Sequence, residues 1–214
     1  MLTDERLGIF MRSFEEPYPE QLHNLMCRAK EEEIPIIRED MQDYMRFLMK
    51  TLKPQKILEV GTAVGFSALL MSEYAPDARI TTIENYEKRI PEARKNFELF
   101  GRSDRITLIA GDAAEELPKL PSEEYDFIFM DAAKGQYIHF LPEVLRVLAP
   151  GGTLVTDNIL KDREVMESRF AVARRDRTIH ARMREYLKAL KEEPSLTTSI
   201  LPIGDGITVS VKEK

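Results

Sequence analysis

From about residue 54 onward the chain alternates between two hydrophobic patterns. Short apolar runs rich in β-branched and aromatic residues predict buried strands at residues 56–60, 79–83, 106–110, 125–130 and 153–156. The stretches between them predict helices at residues 66–74, 86–99, 113–117 and 138–147. Strands and helices that alternate in this way pack as a parallel sheet covered on both faces. The pattern therefore predicts an α/β fold with a doubly wound, Rossmann-like sheet.

The N-terminal quarter has a helical pattern. Residues 3–52 predict helices that begin at Thr3 and break near residues 17–19 and 34–35, where prolines lie. Within residues 38–52, apolar side chains recur with the helical period: Met41, Tyr44, Met45, Leu48, Met49 and Leu52. Such a stripe suits a lid over a substrate or ordinary packing in a core or dimer, and we favour packing.

The C-terminal end has the pattern of a β-hairpin. Residues 197–203 and 207–211 flank Gly204-Asp205-Gly206, which is a turn signal. A hairpin there would add antiparallel strands to one side of a mostly parallel sheet. We expect one domain over residues 1–214, with residues 1–52 as a helical cap or dimer segment.

Composition narrows the class of protein. The 214 residues are 43% hydrophobic, and no apolar run approaches the roughly 20 residues that cross a bilayer. The first residues lack the basic and then apolar layout of a secretory signal. Cys27 is the only cysteine, so neither a disulfide nor a thiolate metal cluster is expected, and its apolar neighbours favour a small buried side chain. We therefore expect a cytoplasmic protein without a membrane partner.

The charge is unevenly distributed. A formal net charge of −6 argues against non-specific coating of nucleic acid. Between residues 169 and 184, however, the chain carries six arginines against one acid, Asp176. Arginine suits phosphate forks and base stacking, although such a run is also typical of a solvated helix face. We call residues 169–184 the basic segment.

Two glycines follow the first predicted strand. Gly61 and Gly65 in Glu-Val-Gly-Thr-Ala-Val-Gly-Phe-Ser form a tight strand-to-helix turn, which lets backbone N–H groups approach a ligand. Glu84 ends the second strand, where a carboxylate can accept hydrogen bonds from ribose hydroxyls. The alternatives are a turn that only changes direction and a solvated acid. Because strand, turn and helix come in the required order, we favour a nucleotide-type cofactor site.

Polar side chains also end the fourth and fifth predicted strands. Asp131 follows the fourth strand, and Asp157 with Asn158 follows the fifth. Carboxylate and amide oxygens form a hard set suited to Mg²⁺ or another divalent cation. Alternatively, Asp157-Asn158 makes a turn and Asp131 caps a helix.

The glycine turn resembles the S-adenosylmethionine site of class I methyltransferases. The spacing Gly61-x-x-x-Gly65 departs from the Gly-x-Gly-x-x-Gly of dinucleotide sites, which weakens the case for a nicotinamide oxidoreductase. Gly111-Asp112-Ala113 matches the adenine-contacting segment of that family. The resemblance implies a cofactor site formed by Val60, Gly61, Thr62, Gly65, Ser67, Glu84, Gly111, Asp112, Ala113 and Asp131.

The chain over roughly residues 35–214 resembles the cation-dependent O-methyltransferases, the catechol and caffeoyl-CoA type. The resemblance rests on Asp131, Lys134, Asp157-Asn158 and residues 201–208. It implies a divalent metal held by Asp131, Asp157 and Asn158, with Lys134 and Asp131 as catalytic residues. Lys134 would be a general base or an electrostatic aid, and its alternative is a solvated lysine at a helix start. Ala132 and Ala133 depart from the bulky residues of the catechol enzymes, which implies a different, larger acceptor.

The basic segment resembles the bacterial tRNA 5-hydroxyuridine methyltransferases, a branch of the same family. That resemblance implies tRNA as substrate, 5-methoxyuridine as product, and RNA contacts by Arg174, Arg175, Arg177 and Arg182. The alternative acceptor is a small catechol-like or acyl-CoA phenol, and a rival from another class is a non-catalytic RNA-binding module. The family and the apolar N-terminal helices also imply a homodimer.

Overall fold

A seven-stranded mixed sheet forms the centre of the protein. The computed structural model describes residues 4–160 and 164–214. The strands lie in the order β3-β2-β1-β4-β5-β7-β6. Their bounds are β1 Lys56–Val60, β2 Arg79–Glu84, β3 Ile106–Ala110, β4 Tyr125–Met130, β5 Leu148–Thr156, β6 Leu196–Leu201 and β7 Ile207–Lys212. The first five strands are parallel, and β7 pairs antiparallel with both β5 and β6.

Helices cover both faces of this sheet. Their bounds are α1 Asp4–Arg12, α2 Glu20–Glu31, α3 Glu39–Leu52, α4 Phe66–Tyr74, α5 Arg89–Leu99, α6 Ala113–Glu116, α7 Tyr137–Val147 and α8 Arg177–Glu192. Alternate strand residues feed two separate cores: Ile57 packs with α2–α5 on one face, and Leu58 and Val60 pack with α6–α8 on the other. The predicted doubly wound α/β fold with its C-terminal hairpin is therefore confirmed.

The N-terminal helices break where the prolines predict. The chain leaves helical structure between α1 and α2 and again between α2 and α3. The predicted start at Thr3 lies outside the described residues. The methionine stripe of α3 is core and not a lid, because Met41, Met45 and Met49 are fully buried. Cys27 is only half-buried against this core, with its Sγ 3.5 Å from Nε2 of His23.

Three element bounds differ from the sequence pattern by two residues or more, for physical reasons. Strand β5 begins at Leu148 and not at residue 153, because Pro150-Gly151-Gly152 forms an irregularity inside the strand rather than a turn before it. Helix α5 begins at Arg89 and not at residue 86, since the Tyr86 N–H bonds the Glu84 carboxylate instead. Strand β6 ends at Leu201, directly before Pro202, which has no N–H for the ladder.

Within the described residues, no helix is both long enough and apolar enough to cross a membrane.

Candidate active site

The carboxyl ends of β1 and β4 meet where the chain direction reverses. After β1 the chain builds outward through β2 and β3, then returns to add β4 on the other side of β1. Backbone hydrogen bonds between neighbouring strands continue one residue past the strand ends. The Asp131 N–H donates to Val60 O (2.9 Å), and the Asp157 N–H donates to Met130 O (3.0 Å). Ligands of open α/β sheets bind at such a switch point. The residues predicted to bind a cofactor and a metal thus share one crevice.

The glycine loop, residues 61–65, closely approaches the end of β4. Gly61 has φ +105°, and a Cβ built on it would lie 2.1 Å from the carbonyl oxygen of Asp131. Gly65 has φ +82°, and its Cβ would lie 2.4 Å from the Phe97 ring. At both positions the backbone requires a residue without a side chain. The two glycines therefore fix the loop between a strand end and a helix.

Glu84 holds the glycine loop. Its Oε2 accepts the N–H groups of Thr62 (3.2 Å) and Ala63 (2.8 Å), and its Oε1 accepts the N–H of Tyr86 (2.8 Å). The sequence indicates only a strand-end acid that contacts ribose, so this support of the loop was missed. Since an ionised carboxylate offers about four lone-pair sites, acceptor capacity remains for a ligand hydroxyl.

A buried acid lies beneath the loop. Glu59 is fully buried; its two carboxylate oxygens accept the hydroxyls of Ser67 and Thr82, each at 2.5 Å. The Thr62 hydroxyl joins the network 2.5 Å from that of Thr82. Burial raises the pKa of Glu59 to about 8, although the two hydroxyl donors oppose the rise. Ser67, predicted to bind the cofactor, is thus fixed through its side chain.

The Gly111-Asp112-Ala113 segment reaches the same edge of the sheet through the register Glu84↔Ala110. Gly111 N–H donates to Glu84 O at 2.9 Å. Asp112 caps α6, accepting the N–H of Ala114 at 2.8 Å. Its other carboxylate oxygen lies 3.4 Å from Asn85 Nδ2 and faces an exposed rim.

Asp131, Asp157 and Asn158 form an acidic cluster beside the glycine loop. The Asn158 amide donates to Asp131 Oδ1 at 3.2 Å, and Asn158 N–H lies 2.6 Å from Asp157 Oδ1. Asn158 has φ +59°, a conformation that asparagine tolerates better than most residues. Of the three residues that the sequence grouped from neighbouring strand ends, the Asn158 and Asp131 side chains are therefore in contact, and the Asp157 carboxylate bonds the Asn158 backbone.

The two carboxyl groups destabilise each other's charge. Burial raises the pKa of Asp131 to about 6, against the opposing effects of Asn158 and Lys134. Burial and then the neighbouring Asp131 charge raise the pKa of Asp157 to about 7. Two desolvated carboxylates at one point favour a proton or a cation between them. In the described part of the chain, no group of three His, Cys, Asp or Glu side chains forms a metal site by itself, so the asparagine is an essential member of the predicted set.

Lys134 and the hairpin turn border the cluster. Lys134 lies in a short turn after β4, and its Nζ is 3.4 Å from Oδ2 of the buried Asp205. Asp205 is held in turn by its own strand connection, since its carbonyl accepts the N–H of Leu160. The Gly204 N–H donates to Asp40 of α3 at 2.7 Å. Sequence reasoning assigned no role to Asp40 or Asp205, because contacts between such distant residues leave no periodic signal.

Two buried tyrosines support the cluster from behind. The hydroxyl of Tyr137, the first residue of α7, donates to Asp157 O at 3.2 Å. Tyr186 of α8 packs edge-on against Tyr137, with ring centroids 5.6 Å apart, and its hydroxyl lies 2.6 Å from that of Thr156. Burial raises the pKa of both phenols, so both remain neutral.

The basic segment divides into inward and outward arginines. Arg182 donates to Gly135 O (3.1 Å), Arg177 to Val172 O (3.2 Å) and Arg184 to Val165 O (3.0 Å). Arg174 and Arg175 are exposed, and Arg175 pairs with Asp176 at 3.3 Å. Two of the four arginines predicted to contact RNA therefore also hold loops in place.

Comparison with known proteins matches the chain to one family. A family model described as O-methyltransferase matches residues 11–213. The catechol O-methyltransferase of Mycobacterium tuberculosis is 28% identical over 176 residues, which cover 80% of this chain and 77% of that protein. A Staphylococcus aureus structure with a provisional caffeoyl-CoA O-methyltransferase assignment has a TM-score of 0.87 at 28% identity, covering 98% and 99% of the two chains. The methyltransferase PaMTH1 of Podospora anserina, solved with S-adenosylhomocysteine bound, has a TM-score of 0.89 at 25% identity, covering 98% and 95%.

The buried carboxyl of Glu59 predicts a pH-dependent stability. A pKa raised from 4.5 to about 8 by folding means that the folded state holds the proton more tightly, so the stabilisation is complete below pH 4.5 and is lost as pH rises toward 8. We expect the free energy of unfolding in urea to fall less steeply over this range in Glu59→Gln than in the unsubstituted protein. Asp131 and Asp157 leave some slope in both proteins. Equal slopes would contradict the assignment of a neutral Glu59.

Proposed function

The chain belongs to the O-methyltransferase family, and from this membership we propose that it transfers a methyl group from S-adenosylmethionine to a hydroxyl held at a divalent cation. The observation that carries the proposal is the contact between the acidic cluster and the glycine loop, with Asp131 belonging to both. A methyl donor and a cation would then share one crevice, which is what aligning an acceptor oxygen with the methyl group requires.

The residues around the glycine loop fit the methyl donor. Gly61 and Gly65 let the loop pack closely against Asp131 and Phe97, and the loop leads into the N-terminus of α4, where backbone N–H groups can face a ligand. Glu84 keeps acceptor capacity for ribose hydroxyls while it holds the loop. The proposed cofactor site is the one given by the resemblance: Val60, Gly61, Thr62, Gly65, Ser67, Glu84, Gly111, Asp112, Ala113 and Asp131.

The acidic cluster fits a hard divalent cation such as Mg²⁺. Asp131 and Asp157 supply carboxylate oxygens, and Asn158 supplies an amide oxygen once its side chain turns its Nδ2 away from Asp131. Buried acids whose pKa values are raised by burial and by each other regain stability when a cation neutralises them. When bound, the cation supplies a Lewis acid that makes an acceptor hydroxyl more acidic.

Other residues of the chain then orient the proposed site and act on the proton of the acceptor hydroxyl. Tyr137 holds the backbone of Asp157, so that its carboxylate faces the crevice from a fixed strand end. Lys134 borders the same crevice, positioned by Asp205, and acts on the acceptor hydroxyl as a general base or through its positive charge. Asp131, shared by the donor and cation sites, couples the two.

The acceptor that we propose is the 5-hydroxyl of 5-hydroxyuridine in the tRNA anticodon, with 5-methoxyuridine as product. That hydroxyl lies beside a carbonyl, so the two oxygens can chelate one cation. An unstacked loop base is accessible to an enzyme that acts on single-stranded RNA. The supporting observation is the exposed basic pair Arg174 and Arg175, on the segment that follows the acidic cluster.

A small phenol with two adjacent oxygens is the second candidate acceptor. It is favoured by the relatives, which include a catechol O-methyltransferase and a provisional caffeoyl-CoA enzyme. In that case the exposed arginines would contact a CoA phosphate or only solvent. Ala132 and Ala133 leave a small wall beside Asp131, which accommodates a larger acceptor than a bare catechol.

Removal of divalent ions should abolish methyl transfer. Loss of an outer contact to a metal ligand typically costs 10- to 100-fold in activity, so we expect EDTA or Asp157→Asn to cost at least about a hundredfold with any acceptor. Excess Mg²⁺ should restore the EDTA-treated protein but not the variant. The exposed Asp77→Asn is the matched control. Calorimetry should show that the methyl donor still binds in EDTA, and full activity in EDTA would refute the cation.

The double variant Arg174→Ala/Arg175→Ala separates the two acceptors. If each arginine contacts a phosphate, we expect tRNA binding to weaken roughly tenfold and its salt slope to fall by about two units. Nucleoside mass spectrometry should then show less 5-methoxyuridine, while catechol turnover stays unchanged. Lys188→Ala, which removes an exposed cation of α8, is the control. Unchanged tRNA methylation in the double variant would exclude these arginines, and catechol turnover without any 5-methoxyuridine would favour the small phenol.

We also propose a homodimer formed through the N-terminal segment. Six large apolar side chains described there are exposed: Ile9, Phe10, Met11, Phe14, Phe47 and Leu52. Arg46 of α3 binds Glu15 and the carbonyl of Glu16, which places the end of the first helical segment against α3. Sedimentation equilibrium should give the mass of two chains, and Phe47→Glu should reduce it to one, whereas Thr51→Glu on the same helix should not. A monomeric unsubstituted protein would exclude this dimer.

A further inference from the structure

The segment after the acidic cluster displays one aromatic side chain to solvent. Phe170 is 88% exposed, more than any other large hydrophobic side chain in residues 4–160 and 164–214. It lies at the tip of a turn in which Ala171 N–H donates to Ser168 O at 2.8 Å. We call residues 168–171 the displayed turn. Nothing in the described protein packs over this ring, and the function argued above assigns it no role.

The backbone on both sides of the displayed turn is anchored. Val165 and Val172 are buried on either side of it. Side chains of α8 bind three carbonyls: Arg184 binds Val165 O and Arg177 binds Val172 O. The third is Glu167 O, 3.0 Å from Nε2 of His180, which must donate because a carbonyl only accepts. Phe170 is thus presented from a fixed backbone, which lowers the entropy cost of binding through it.

The arginines near Phe170 in the sequence indicate which class of partner this surface binds. Arg169, Arg174 and Arg175 are exposed beside the turn. Met166 is the only other exposed large apolar side chain described between residues 164 and 184, so this segment offers little apolar surface of the kind that a protein interface buries. An isolated aromatic ring among arginines is the arrangement that binds single-stranded nucleic acid, by base stacking and phosphate contacts.

The position of the turn relates this partner to the acceptor crevice. Arg182 ties α8 to Gly135, the residue after Lys134. Ile159 and Leu160, which follow Asn158, donate to the carbonyls of Gly206 and Asp205 and fix where the segment leaves the crevice. The first turns of α8 therefore hold both the backbone beside the displayed turn and the loop that contains Lys134.

We propose that Phe170 stacks on an unpaired base next to the nucleotide that is methylated. This inference rests on the proposed RNA acceptor and adds the residue that holds the neighbouring base. The arginines beside it neutralise the flanking phosphates, and the ring fixes the register of the strand at the crevice. A small phenol has no flanking base, so Phe170 makes no contribution to its turnover.

Three substitutions at Phe170 test stacking directly. The probe is a fluorescently labelled anticodon stem-loop RNA with unmodified uridine at the wobble position, so that binding is measured by anisotropy without catalysis. Phe170→Ala should weaken binding roughly 5- to 150-fold, the range for loss of one base–aromatic stack. Phe170→Tyr should bind like the unsubstituted protein. Phe170→Leu, apolar but not aromatic, should resemble alanine. Leu99→Ala, an exposed apolar residue on α5, is the control and should change nothing.

The possible results distinguish this inference from the proposed function. If the unsubstituted protein binds and methylates RNA but Phe170→Ala does so equally well, the stacking role is wrong and the RNA acceptor stands. If Phe170→Leu retains full affinity, stacking is likewise wrong. If the unsubstituted protein neither binds the stem-loop nor forms 5-methoxyuridine, both proposals fail. Catechol turnover that is unchanged in Phe170→Ala shows that the variant is folded, and an equal loss with catechol would overturn a role confined to RNA.

Discussion

The close contact between the ends of two neighbouring strands governs this structure. At Gly61 the backbone of β1 passes so near the carbonyl of Asp131 that no Cβ fits between them. Because of this contact, the loop proposed to seat the methyl donor and the acid proposed to hold a cation lie side by side. The arrangement requires parallel strands, since only parallel strands bring successive carboxyl ends to one edge. The helices that cover the sheet, and the hairpin that extends it, keep this edge in place.

Buried negative charge is the second constraint on the site. Glu59 and Asp157 are buried and Asp131 is partly buried, and burial raises the pKa of each of them. These three acids differ in their hydrogen-bond partners. Both oxygens of the Glu59 carboxyl are hydrogen-bonded to the hydroxyls of Ser67 and Thr82, so this acid is fully paired beneath the loop. Asp131 and Asp157 receive few donors beyond Asn158, and this incomplete compensation suits them to a cation.

The sequence predicts the elements better than it predicts the contacts between them. The strand periods, the proline breaks and the terminal hairpin are local signals, and the structure contains all of them. The grouping of Asp131, Asp157 and Asn158 followed from the rule that parallel strand ends converge. The Asn158 side chain does contact Asp131, and the Asp157 carboxylate bonds the Asn158 backbone. The support of the loop by Glu84, the Lys134–Asp205 pair and the anchoring arginines of α8 were missed. They are side-chain contacts whose partners have no fixed spacing along the chain, so no sequence pattern predicts them.

The hydrogen bond from the Gly204 N–H to Asp40 joins residues that are 164 positions apart in the chain. It can therefore form only after most of the chain has been synthesised. During synthesis the five parallel strands and their helices emerge before the hairpin, so most of the sheet can fold while β7 is still missing from its place beside β5. The crevice then lacks the turn that positions Lys134. Completing the crevice requires the contact between Gly204 and Asp40, and contacts between residues so far apart in the sequence form slowly during folding. In a nascent chain the glycine loop can therefore form before the turn that contacts Lys134 is in place.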